Sequence, residues 1–140
     1  MEEALRSAER AIELDPNYAN PYVGLADTYA LYPNYNFGAP DEAMPKAKEY
    51  ALKAIEINPN TAEAYTSLAF VLCMYEHEWN LAEENYKKAI QLNSNYAPAY
   101  NNRGWAYREL GQYERAIEDY NRAIMIDPYL VMAHNNRGDS

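Results

Sequence analysis

The sequence predicts an all-α fold made of a repeated pair of helices, because one motif recurs at a nearly constant spacing. The motif reads Ala-Ile-Glu-Leu-Asp-Pro at 11–16 and returns in variant form at 54–59, 89–94 and 123–128. Successive copies begin 43, 35 and 34 residues apart. This spacing indicates a unit of about 34 residues that carries one long insertion and one single-residue insertion.

A second column of residues marks the beginning of each unit. Tyr22, Tyr65 and Tyr100 each open a segment in which mostly apolar or small residues follow three, four and seven places on, and His134 opens a fourth. Offsets of three, four and seven lie on one stripe of a helix. Each unit is therefore predicted to begin with an amphipathic helix.

Another helix is predicted to follow and to end at the recurring motif. The Asp-Pro and Asn-Pro pairs of that motif stop the helix, because the residue before a proline avoids the helical region. Gly111 is predicted to adopt the left-handed conformation that ends a helix. Small or tyrosine residues recur every three or four places in this second helix and favour close helix packing: Ala4, Ala8 and Ala11; Ala47, Ala51 and Ala54; Ala82, Tyr86 and Ala89; Ala116, Tyr120 and Ala123.

The last full unit carries the most specific pattern. Its residues are Tyr100, Arg103, Gly104 and Tyr107, then Ala116, Tyr120 and Pro128. These residues at this spacing resemble the signature of tetratricopeptide repeats (TPR), a helix, a turn and a helix. Nearly the whole chain follows the same register, and its first two thirds are similar to TPR segments of bacterial signalling and regulatory proteins.

This resemblance implies an all-α, right-handed α-α superhelix (TPR solenoid) of about three full repeats plus a half repeat at each end. Seven or eight helices are expected. Arg103 and Arg137 replace a leucine of the usual pattern and Ser94 replaces a proline, without breaking the register. The expected single domain spans 1–140 and divides into a second helix of a partial repeat (1–16), a repeat with a long inter-helix loop (17–60), two further repeats (61–95 and 96–129) and the first helix of a truncated repeat (130–140).

Composition and charge restrict the partners. Lys and Arg number 12 against 21 Asp and Glu, and the formal net charge of -9 disfavours nucleic acid and anionic membrane surfaces. No apolar run reaches the roughly 20 residues of a membrane span, and Met1-Glu2-Glu3 does not resemble a secretory signal. The single Cys73 fits a reducing compartment, so a cytoplasmic location is the default expectation.

No set of residues suggests catalysis. His77 is interpreted as a solvated turn residue, and Cys73 has no positive neighbour in sequence that would lower its pKa. We therefore expect no enzyme activity, no metal and no cofactor. Residues 137–140, Arg-Gly-Asp-Ser, resemble an integrin-recognition motif, but Arg103 and Gly104 stand in the same columns one repeat earlier, so the repeat explains the first two residues.

In TPR proteins the first helices line a concave groove, and the resemblance places a predicted peptide-binding site there. Phe70 and Trp105 share one column and are expected to anchor apolar side chains, with Asn101 and Asn102 bonding a peptide backbone. The alternative is that both aromatics pack between adjacent repeats. The predicted groove residues are Val23, Asp27, Phe70, Met74, Asn101, Asn102, Trp105 and Arg108.

TPR proteins that hold the acidic C-termini of heat-shock chaperones use lysine, asparagine and arginine at set positions of their first helices. The corresponding positions of this chain hold only neutral or acidic residues: Val23, Asp27, Ser67, Pro98 and Asn102. We therefore predict no chaperone-tail clamp of that kind.

The predicted function is a protein-interaction scaffold that holds a peptide or a helix of a protein partner. One alternative is a structural module that self-associates end to end through its unmatched terminal helices. Another is an accessory domain that positions substrates for a larger enzyme or regulator. The insertion at 33–40, with Tyr35 and Phe37, is either a contact arm over the groove or a packed surface connection.

Overall fold

A computed structural model describes residues 2–31 and 40–129. These two ranges contain seven helices and no strand, which confirms the predicted all-α class. The terminal helix expected at 130–140, with His134 and the Arg-Gly-Asp-Ser sequence, and most of the insertion lie outside the described residues. The helices are α1 (Glu2–Leu14), α2 (Asn20–Leu31), α3 (Pro40–Ile57), α4 (Ala62–Met74), α5 (Trp79–Leu92), α6 (Ala97–Glu109) and α7 (Tyr113–Ile126).

The helices pack as a TPR solenoid. Each first helix contacts the second helix of its own repeat, so that α2 packs on α3, α4 on α5 and α6 on α7. Each second helix also contacts the first helix that follows it, and α2, α4 and α6 contact one another in sequence. The three first helices therefore form one continuous layer, which carries the candidate site.

One hydrogen bond recurs in the turns between repeats. The side-chain oxygen of Asp15, Asn58, Asn93 or Asp127 accepts a bond from the backbone N–H two residues on, at 3.1 to 3.2 Å. This Asx turn follows the end of each second helix and does not use the proline. It explains why the turn persists where Ser94 replaces that proline.

A second recurring bond joins the two sequence columns. The hydroxyls of Tyr22, Tyr65 and Tyr100 donate to the backbone carbonyl six residues earlier, over 3.3, 2.9 and 3.2 Å respectively. Each donor lies in a first helix, and each acceptor lies in the turn that precedes it. The bond therefore ties the start of one repeat to the end of the previous one, and we name it the tyrosine–turn bond.

Large tyrosines of the second helices fill the space within a repeat. Tyr86 and Tyr120 are both 1% exposed and belong to the core. A Cβ atom added at Gly104 would lie 2.8 Å from the ring of Tyr120 and 3.2 Å from the carbonyl oxygen of Ala116. Glycine at 104 thus allows α6 to approach α7 closely.

The unusual Arg103 forms a polar clamp between the helices of the last repeat. Its guanidinium donates two hydrogen bonds to the carboxylate of Asp119, each 2.7 Å long, and the rings of Tyr100 and Tyr107 lie 5.7 Å from the guanidinium carbon. Both partners of the pair are largely buried. A bidentate ion pair with aromatic neighbours thus replaces the apolar contact of the usual leucine.

The close approach at Gly104 is testable with a matched pair of variants. Gly104→Ala is expected to lower the free energy of unfolding by about 1 kcal/mol, because overpacking against the buried Tyr120 outweighs the better helix propensity of alanine. Gly24→Ala is the control: nothing lies within 4 Å of the added Cβ, so this variant is expected to gain about 0.5–1 kcal/mol. Urea unfolding followed by circular dichroism measures both, and equal stability of the two variants would contradict the packing.

Candidate peptide-binding groove

A cavity of about 200 Å³ opens in the layer of first helices. Residues of α2, α4 and α6 line it, together with the residue that precedes α6. We name it the groove cavity, and its lining consists of Asp27, Ala30, Thr66, Ser67, Phe70, Tyr96, Pro98 and Asn102. Its volume suits one large side chain rather than a folded partner.

Asp27 and Ser67 form the main polar contact of the groove cavity. The hydroxyl of Ser67 donates a hydrogen bond to Asp27 Oδ1, and it also lies 3.0 Å from the backbone oxygen of Glu63. A serine hydroxyl has a single proton, so it cannot donate to both oxygens at once. The hydroxyl proton of Ser67 is therefore shared between the carboxylate of Asp27 and the backbone oxygen of Glu63.

The electrostatics of the groove cavity favour positive charge. Burial raises the pKa of Asp27, the hydrogen bond from Ser67 lowers it, and the negative charge of Glu63 raises it, with a net upward shift. Burial and the charges of Asp27 and Glu63 also raise the pKa of Tyr96 to about 12. Within residues 2–31 and 40–129, the side chains of Asp27 and Glu63 take part in no ion pair. The cavity thus has negative charge without a cation to balance it.

Five of the eight predicted groove residues lie either in the lining of the groove cavity or on the exposed surface of α4 and α6. Asp27, Phe70 and Asn102 line the groove cavity. Met74, at the end of α4, is 38% exposed, and Arg108 is exposed near the end of α6. Whether these five residues bind a partner stays a prediction.

Two predicted groove residues lie in the packed layer instead. Val23 is 8% exposed and belongs to a core cluster with Ala54 of α3 and Ala64 of α4. Asn101 is 3% exposed, and its side-chain N–H donates to Asn102 Oδ1 over 3.3 Å. Both side chains are buried and so offer little exposed surface to a partner, and their assignment to the groove stays a prediction.

Phe70 and Trp105 were interpreted either as anchors for a partner or as packing residues between adjacent repeats, and the structure is compatible with both. Phe70 is half-buried, packs against the cluster that contains Ala30 of α2, and also lines the groove cavity. Trp105 is half-buried against the cluster that contains Leu72 of α4. Each aromatic ring therefore packs between repeats and still presents part of its surface.

Tyr96 is the lining residue that the sequence prediction missed. It immediately precedes α6 in an extended backbone conformation, which is the N-cap position of that helix. Short polar residues are preferred there, because their side chains bond the first free N–H groups of the helix. An aromatic residue at an N-cap was thus the signal that pointed to a separate role.

The remaining candidate residues offer no reactive site. His77 is exposed in the turn between α4 and α5, with a positive φ of 57°, as expected for a turn residue. Burial and the charge of Glu109 raise the pKa of the Cys73 thiol to about 12. A thiol with this pKa is protonated and unreactive at neutral pH.

Across 2–31 and 40–129, His, Cys, Asp and Glu form no group of three or more that suits a metal ion. None of the helices in that part of the chain has the length and apolar character that a membrane crossing requires.

Comparisons with known proteins identify the repeat. Residues 97–130 match the family model of the tetratricopeptide repeat. A comparison with curated proteins gave no significant match.

Several solved structures share the fold. The crystal structure of MamA is 28% identical to this chain, with a TM-score of 0.67 over 96% of this chain and 72% of that one. A thermophilic TPR protein of Thermus thermophilus is 19% identical, with a TM-score of 0.78 over 95% and 69%. The first TPR domain of Spaghetti, solved with an HSP90 peptide, is 23% identical, with a TM-score of 0.65 over 83% and 86%. Residues 97–130 match the tetratricopeptide repeat, and the repeated columns, the packing of the helix pairs and these likenesses show that the described chain has the fold of tetratricopeptide repeat proteins.

Proposed function

We propose that this chain is a protein-interaction scaffold that holds an extended segment of a partner protein along α2, α4 and α6. The observation that carries the proposal is the groove cavity. It combines a partly buried carboxylate, buried hydroxyls and half-buried aromatic rings at one opening, where residues of all three repeats meet. A concave site with an apolar wall and a few convergent polar groups is the usual form of a binding site.

The energetic state of Asp27 supports a binding role. Its raised pKa means that the folded chain disfavours the ionised carboxylate, which therefore lowers stability at neutral pH. Ion pairs elsewhere in the described residues, such as Arg103 with Asp119, have their partners within the chain. Titratable groups whose shifted pKa lowers the stability of the fold are concentrated at functional sites, because they are retained for their function and not for folding.

The comparisons support the general role but do not define the ligand. One structural neighbour is a TPR domain solved with an HSP90 peptide, so the shared fold is compatible with peptide binding. At 23% identity, however, the likeness concerns the fold, and the ligand has to be argued from the residues present. The unbalanced charge of Asp27 and Glu63 disfavours an acidic tail, in line with the prediction that no chaperone-tail clamp is formed.

A scaffold also fits the absence of reactive chemistry in the described residues better than an enzyme does. Among them, Cys73 is buried with a raised pKa, and His77 is an exposed residue of the turn between α4 and α5. TPR folds generally serve as scaffolds rather than as catalysts.

The stability cost of Asp27 is a first test. At pH 7 the variant Asp27→Asn is expected to melt at a higher temperature than the wild type, because it removes a disfavoured charge and keeps an acceptor for Ser67. Since the folded-state pKa is raised, the stability contributed by Asp27 is fully present below the unfolded value and is lost as pH rises through the folded value. The advantage of the variant should therefore vanish in acid.

Thermal melts by circular dichroism between pH 3 and pH 8 measure this difference. Glu84→Gln, which removes the same charge from an exposed position of α5, is the matched control and should show no such pH-dependent gain. A lower melting temperature for Asp27→Asn at pH 7 would contradict the electrostatic description of the groove cavity.

The binding role is tested by selecting peptides from a random twelve-residue display library on the intact chain. Selected peptides are expected to shift the amide resonances of Ser67, Tyr96 and Asn102, and Asn102→Ala should weaken them roughly five- to tenfold by removing one polar contact. Asn121→Ala makes the same change on α7 and should leave affinity unaltered.

Light scattering of the free chain, at the protein concentrations used to measure peptide binding, tests the alternative of self-association. Peptides that bind without perturbing the three groove resonances would refute the proposed site. A chain that oligomerises and selects no peptide would favour the self-associating structural module.

A further inference from the structure

The groove cavity lacks a positive charge, and the helices around it do not supply one. Neither α2 nor α4 contains a lysine or arginine. The two arginines of α6 are Arg103, which is bound to Asp119, and Arg108, which is exposed at the far end of the helix. A partner that satisfies Asp27 must therefore supply the cation itself.

The shape and lining of the groove cavity distinguish between possible cations. A volume of about 200 Å³ accommodates one long side chain. The rings of Phe70 and Tyr96 in the lining favour a flat, weakly hydrated guanidinium over a compact ammonium, because arginine stacks on aromatic faces and loses less hydration when it is buried. The planar fork of arginine also matches a carboxylate with two parallel hydrogen bonds.

We propose that the groove cavity is a pocket for the arginine side chain of an extended, basic segment of the partner. The guanidinium pairs with the carboxylate of Asp27 and packs against the aromatic lining. This inference rests on the proposed function and specifies its ligand. The formal net charge of -9 adds to it, since a negatively charged chain accelerates the approach of a basic segment.

Arginine binding would also release the shared hydroxyl proton of Ser67. When the guanidinium donates to Asp27, this proton is free to turn to the backbone oxygen of Glu63, 3.0 Å away. The carboxylate of Asp27 then accepts two charge-assisted hydrogen bonds in place of one from a shared hydroxyl.

The test uses four nine-residue peptides that differ at the central position only, which is arginine, lysine, citrulline or glutamate in an alanine and leucine host. Citrulline keeps the size and planarity of arginine and removes its charge. Affinities for the intact chain are measured by amide chemical-shift titration up to about 5 mM peptide, so that weak binding is still quantified. The arginine peptide is expected to bind at least about tenfold more tightly than the citrulline peptide, with lysine between them and glutamate weakest.

Two variants separate local pairing from overall charge. Asp27→Asn should abolish the preference for arginine over citrulline, while Glu84→Gln, which makes the same charge change on exposed α5, should preserve it. Because Asp27→Asn is expected to be more stable than the wild type, unfolding cannot explain its loss of preference.

The outcomes distinguish this inference from the proposed function. Peptides that shift the groove resonances equally well with arginine, citrulline or glutamate would overturn the arginine pocket and leave the groove as a binding site. Preference for lysine over arginine, or an arginine preference that survives Asp27→Asn, would also overturn it. If no host peptide shifts the groove resonances, the arginine pocket is refuted, and the library selection then decides the proposed function separately.

Discussion

The groove depends on the tyrosine–turn bond, which joins each repeat to the one before it. The hydroxyls of Tyr22, Tyr65 and Tyr100 reach the backbone oxygen of Pro16, Pro59 and Ser94 respectively. One such bond contributes only about 0.5–1.5 kcal/mol to stability, but it occurs at each of the three junctions described. It ties the start of every first helix to the preceding turn, and together with the packing of α2 on α4 and of α4 on α6 it aligns these helices into the layer that contains the groove cavity.

The repeat architecture was predictable because its causes are local in sequence. Each tyrosine of the column bonds a carbonyl six residues earlier in the Asx turn, the proline acts on its immediate neighbour, and helical periodicity identifies the buried stripe. Gly111, with a φ of 78°, adopts the predicted left-handed conformation for the same reason. The all-α TPR class followed from these short-range features and is confirmed.

The details of the site were harder to predict, because they depend on contacts between distant residues. Asp27 meets Ser67 across forty positions, and only the packing of α2 on α4 brings them together. Periodicity gives the direction of a side chain but not how far a neighbouring helix covers it, so Val23 was assigned to the groove although α3 and α4 bury it. Tyr96 lies outside the helical stripe altogether and was missed.

Two carboxylates, the buried Asp119 and the partly buried Asp27, illustrate the difference between the layers of the fold. Asp119 is paired with Arg103 inside the last repeat, where the ion pair joins α6 to α7. Asp27 has only a shared serine proton and the nearby charge of Glu63. A carboxyl ¹³C NMR titration of Asp27 in the free chain tests this difference most directly. We expect a midpoint above the ordinary value of 3.8, because burial disfavours the ionised carboxylate. A midpoint at or below 3.8 would contradict a desolvated carboxylate that pairs with a cation of the partner in the groove cavity.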